Sequence, residues 1–139
     1  MTFHDLVQMY FERSNALQWY WTIYVVVIGG LLAFSSLRKE RDLITTGLVT
    51  VLFCFFAYKN LGAIHDVTVQ RYAILQVIKE SPNAQTATEL QSARSLLEPT
   101  LIAPAYEGVR NFHVASDLIT VAALWAMERR RRNILIPAA

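Results

Sequence analysis

His113 and Asp117 stand four residues apart, so on an α-helix an imidazole and a carboxylate meet on one face. Thr120 extends the same polar edge. A second imidazole–carboxylate pair, His65-Asp66, stands earlier in the chain, and Glu107 lies between the two. Such groups could do two kinds of chemistry. Nitrogen and oxygen ligands from His65, Asp66, His113 and Asp117, with Glu107 close by, suit a transition metal such as zinc, copper or iron. Alternatively, His113, Asp117 and Thr120 could line a proton or ion pathway, because a carboxyl group inside an apolar helix is costly and usually faces protein or water.

The spacing matches no metal motif: the sequence has no HExxH and no Glu-x-x-His pair on two helices. The plainer reading is that His113 and Asp117 satisfy each other, or that each lies at a wet interface. Beyond a transition metal at this cluster, no cofactor is expected. Nucleophilic catalysis finds no GxSxG and no glycine-rich phosphate loop, and Gly29-Gly30 falls in the middle of an apolar run. The balance leans away from an enzyme.

The elements that would position these residues are apolar runs. Apolar types form 54% of the 139 residues and charged types 17%, against roughly 45–50% and about 25% in soluble domains. Two runs, Trp19–Leu37 and Leu43–Tyr58, flank the charged link Arg38-Lys39-Glu40-Arg41-Asp42, which is the pattern of a membrane hairpin. The first covers roughly 28 Å as a helix, close to the ~30 Å hydrocarbon core. Trp19, Tyr20, Trp21 and Tyr24 open it, where amphipathic rings favour the headgroup level. Its length, its late start after Asp5 and Glu12, and the basic residues beyond it favour an uncleaved span over a signal peptide. The second run extends through Lys59 and Asn60 to Ile64 if the lysine snorkels. A third run, Val114–Met127, stops at Glu128 and four arginines.

The expected fold is an all-α integral membrane protein with three transmembrane helices in a small bundle, plus an N-terminal amphipathic helix and an extramembrane helical connection. As one domain, 1–139, it divides into an interfacial helix (1–16), first span (17–37), second span (43–64), extramembrane helices (65–98), linker (99–111), third span (112–127) and basic tail (128–139). Phe3, Leu6, Val7, Tyr10 and Phe11 give the first segment its apolar face. Beyond Ile64 the helical repeat runs to about Lys79, either as one long helix or with a kink near Asn60–Gly62. A capping box at Thr86 and Glu89 then opens a helix, and Pro99 and Pro104 mark the linker.

Basic residues prefer the cytoplasmic side. With three crossings, the anchors Arg38, Lys39 and Arg41 fall on the same side as Arg129, Arg130, Arg131 and Arg132. The N-terminus and the 59–111 connection then lie outside a plasma or bacterial inner membrane. The arginine run lacks the aromatic interleaving and fold motif of a nucleic-acid site, so no nucleic-acid partner is expected. For helix packing, small residues form stripes: Gly29 and Ala33; Gly47, Thr50, Cys54 and Ala57; Ala115, Ala122 and Ala126. Cys54 is the single cysteine, so no intramolecular disulfide forms.

These features suggest a non-enzymatic accessory or assembly subunit of a larger membrane complex, with lipid and other membrane subunits or copies of itself as partners. A homo-oligomeric channel or transport element comes second, and a metal-binding protein or metalloenzyme third.

Overall fold

The computed structural model describes residues 3–80 and 105–134. Within them the chain forms three helices, α1 (Phe3–Leu37), α2 (Leu43–Glu80) and α3 (Tyr106–Ile134), with no strand. The capping box at Thr86 and Glu89, the helix expected after it, the Pro99–Pro104 linker and the chain beyond residue 134 lie outside the described residues.

No proline interrupts α1 or α2, and each is one unbroken helix. The segment around Leu6 and Tyr10 and the first apolar run therefore belong to the same helix. The second run continues through Asn60 and Gly62 to Glu80 within that one helix. Both helices are long and apolar enough to cross a membrane; α3 does not reach that standard.

The turn between α1 and α2 is built by side chains. Asp42 caps α2: its Oδ1 accepts from the Thr45 amide at 3.0 Å, and its carbonyl accepts the first intrahelical bond, from the Thr46 amide at 3.1 Å. Arg38 folds over the link, donating to Thr46 Oγ1 at 3.0 Å and to the Asp42 carbonyl at 3.1 Å.

α1 and α2 run antiparallel, and α3 lies parallel to α1. The hairpin's far end is held by Leu6, Tyr10, Leu75 and Ile78. There Arg71 is buried, donates to Tyr10 Oη at 2.9 Å and lies over the Tyr10 ring at 5.0 Å. Its Nε has no hydrogen-bond partner among the described residues.

The small residues do not build the inner seams. Ala57 is buried and Gly47 and Thr50 lie at the edge, while Gly29, Ala33, Cys54, Ala115, Ala122 and Ala126 point outward. The seams are filled instead by Tyr24, Phe53, Ile64 and Leu124, together with the polar Ser35, Thr46, Asn60, His113, Thr120 and Glu128. The inward face of each helix is the one that carries Tyr24, Asn60 or His113. Phe53 consequently faces inward, whereas Phe55 faces out.

Candidate functional site

Two polar layers cross the bundle, and each draws on all three helices. The first centres on His113, which is fully buried. Its Nδ1 lies 2.9 Å from Asp117 Oδ2, and its Nε2 lies 3.3 Å from Nδ2 of Asn60 on α2. With the imidazole proton on Nδ1, the ring donates to the carboxylate and accepts from the amide, so both nitrogens are satisfied by a neutral histidine. Asp117 Oδ1 accepts from the Tyr24 hydroxyl of α1 at 2.8 Å, and that hydroxyl also lies 3.2 Å from the His113 carbonyl oxygen. The Tyr24 and His113 rings stack with centroids 4.1 Å apart. Trp21 packs against His113 and Phe112, closing the side towards the start of α3.

The helical spacing of His113 and Asp117 indicated their meeting, and the structure brings them together. It does not join them to the other predicted residues. Thr120 is buried, but its hydroxyl donates to the Ser116 carbonyl at 2.8 Å and so serves its own helix. His65 pairs with its neighbour Asp66 at 3.2 Å on an exposed face of α2, with its ring edge against Tyr106 at 4.6 Å. Glu107 is exposed. Among the described residues, no group of three or more His, Cys, Asp or Glu side chains is placed to hold a metal ion.

The second layer sits at the link. Glu128, 1% exposed, accepts from the Asp42 amide at 2.7 Å, from Thr46 Oγ1 at 3.1 Å and from Arg131 at 2.7 Å. Arg131 also donates to the Arg38 carbonyl at 2.9 Å and to the Ser35 carbonyl. One side chain of α3 thus accepts at the start of α2, and another covers carbonyls freed at the end of α1. Burial raises the Glu128 pKa, but the Asp42 amide, Thr46 and Arg131 outweigh it and hold the carboxyl below the usual glutamate range. The Asp42 carboxyl is likewise lowered, chiefly by its hydrogen bond from the Thr45 side chain.

Among the basic anchors, Arg131 is buried and Arg38 half-buried, while Lys39, Arg41, Arg129 and Arg130 are exposed; Arg132 lies on α3 with its side chain outside the described residues. Sequence reasoning missed Tyr24, Asn60 and Glu128 as site residues. Asn60 within an apolar stretch and a lone acid before four arginines were the available signals. The Asn60 and Asp117 level and the Thr46 and Glu128 level lie about 14 residues apart on α2, roughly 21 Å along the axis.

Chemically, the His113 layer holds a carboxylate, an imidazole, a phenol and an amide, linked by hydrogen bonds across α1, α2 and α3. No family model, curated protein or solved structure matches this chain.

Proposed function

We infer that this chain is a non-enzymatic integral membrane subunit, a three-span bundle that acts as an accessory or assembly component of a larger membrane complex. The observation that carries this reading is the division of α3. His113, Thr120, Glu128 and Arg131 are turned into the bundle, while Phe112, Val114, Leu118 and Ile119 are exposed. Hydropathy counted along α3 includes polar groups that its outer surface does not display. Its outward band from Phe112 to Ala126, about 22 Å long, is bracketed by exposed Arg110 and Arg129. A short third crossing is consistent with that band. It puts both basic anchors on the cytoplasmic side and the N-terminus outside.

The outward apolar faces of α1 and α2 and the outward stripes of small residues suit lipid and neighbouring membrane helices. The pathway reading gains less support, because Asp117 and His113 are engaged with Tyr24 and Asn60 and Thr120 is bonded to its own helix.

Native mass spectrometry of the chain isolated in mild detergent from its own membrane should show a stoichiometric larger assembly. A monomer that carries nothing would overturn the subunit reading. For topology, single cysteines in a Cys54→Ala background serve as reporters. An impermeant maleimide should label Glu107→Cys in intact cells, and Glu40→Cys and Arg130→Cys only after permeabilisation. Labelling of Arg130→Cys from outside would remove the third crossing.

A further inference from the structure

One face of α2 carries two cavities that meet at Tyr58. The upper, of about 680 Å³, opens between α2 and the start of α3 and is lined by Tyr58, Lys59, His65, Asp66, Tyr106 and Arg110, among others. The lower, of about 380 Å³, is lined by Thr50, Val51, Cys54, Phe55 and again Tyr58. Positions 51, 54, 55, 58, 62 and 65 follow one helical stripe, so the two cavities form a single groove along α2.

Its ends differ in chemistry. At the top, Lys59 makes no ion pair or hydrogen bond among the described residues. Among the described residues Arg110 makes only long contacts, at 3.3 and 3.4 Å, to the neighbouring Asn111. Asp66, the one acid among the described lining residues, is paired with His65 at 3.2 Å. Two cations therefore keep unused donors beside two phenols. Lower down, the Thr50 hydroxyl is spent on the Thr46 carbonyl, which leaves apolar walls. From Lys59 to Val51 the helix rises about 12 Å, comparable to the ~15 Å of half a hydrocarbon core.

We propose that this groove binds one anionic phospholipid, its phosphate between Lys59 and Arg110 and one acyl chain along Cys54 and Phe55. A soluble phosphate would leave the lower half empty, and a zwitterionic lipid would bring its own cation against Lys59. The assignment rests on the membrane reading above and places the lipid in the outer leaflet.

The test is a titration of the delipidated full chain in detergent with phosphatidylglycerol or phosphatidylcholine of equal chain length, read by native mass spectrometry. The first phosphatidylglycerol should bind about thirtyfold more tightly, the size expected of two cations facing an anionic headgroup. The Lys59→Gln/Arg110→Gln variant should lose that preference to within about threefold, and the Lys59→Arg/Arg110→Lys exchange should keep it. Cys54→Trp, on an exposed face, should weaken both lipids by about tenfold through filling the tail channel. Arg129→Gln/Arg130→Gln, at the opposite end of α3, should change nothing for this first lipid.

Equal binding of the two lipids, or a preference surviving in the Gln/Gln variant, overturns the proposal. So does displacement of the lipid by millimolar inorganic phosphate, which would make the site one for a soluble anion. Detergent titration reads the groove whichever leaflet it faces, whereas the maleimide labelling reads topology, so either idea fails without the other.

Discussion

The phenol of Tyr24 donates a 2.8 Å hydrogen bond to Asp117 Oδ1 across the α1–α3 seam. With His113 on the other oxygen at 2.9 Å, the carboxylate within the third apolar run has both oxygens engaged. Its removal should therefore cost more than the loss of either partner. Asp117→Ala leaves the Tyr24 hydroxyl only its longer contact to the His113 carbonyl, strands the His113 Nδ1 proton and should destabilise the bundle by about 2–3 kcal/mol; Tyr24→Phe should cost about 1 kcal/mol. Equilibrium unfolding in mixed micelles measures both, and equal costs would refute this ordering.

Glu128 predicts acid sensitivity. Its folded pKa lies below the ordinary 4.5, so its contribution is complete above that value and drains away as pH falls through the folded one. Glu128→Gln should flatten the stability profile in that acid range and leave the profile around neutral pH parallel to the parent's. Glu128→Ala should cost about 2–3 kcal/mol, less than the ~3–5 of a fully interior pair because the site lies near the bundle's end.

At the hairpin's far end, Arg71 is buried and its Nε has no partner among the described residues, an arrangement that packs but gains little from its charge. Arg71→Met should be neutral or stabilising by up to about 1 kcal/mol. Tyr10→Phe, which removes the guanidinium's partner, should destabilise by about 1 kcal/mol. Hydrogen exchange supplies the check: Tyr10→Phe should speed exchange around Leu6 to Arg13 and leave Tyr24 to Leu37 unchanged.

The outward small residues separate folding from assembly. A Cβ added at Gly29 meets nothing within 4 Å, so Gly29→Ala should raise stability by about 0.5–1 kcal/mol. Ala122→Leu should leave the bundle's unfolding unchanged yet displace a neighbouring helix. Intact assembly in that variant would mean the stripe faces lipid.

Periodicity and charge placement made the helices, the tight link and the His113–Asp117 pair legible in the sequence, because all three depend on local spacing. Tyr24 and Asn60 were not legible as partners of that pair, since meeting across helices depends on the rotational phase of each. Small residues were a poor guide to that phase here. Gly29 and Ala122 point outward because Tyr24 and His113 on the same helices point in, and a helix cannot turn both faces to one seam. The arginine cluster looked uniform, yet Arg131 is a structural residue and Arg129 is not. Only the position of Glu128 three residues before Arg131 separates them.

Arg131 lies 93 residues after the Arg38 carbonyl it covers. At roughly 5–20 residues per second, ribosomes need about 5–20 s to make that interval. From Glu80, where α2 is complete, to Arg131 the hairpin of α1 and α2 can form only with its turn unfinished: the Ser35 and Arg38 carbonyls and the Asp42 amide await side chains not yet made. α3 thus completes the turn between α1 and α2, and a chain that stops short of residue 128 lacks the side chains that close it.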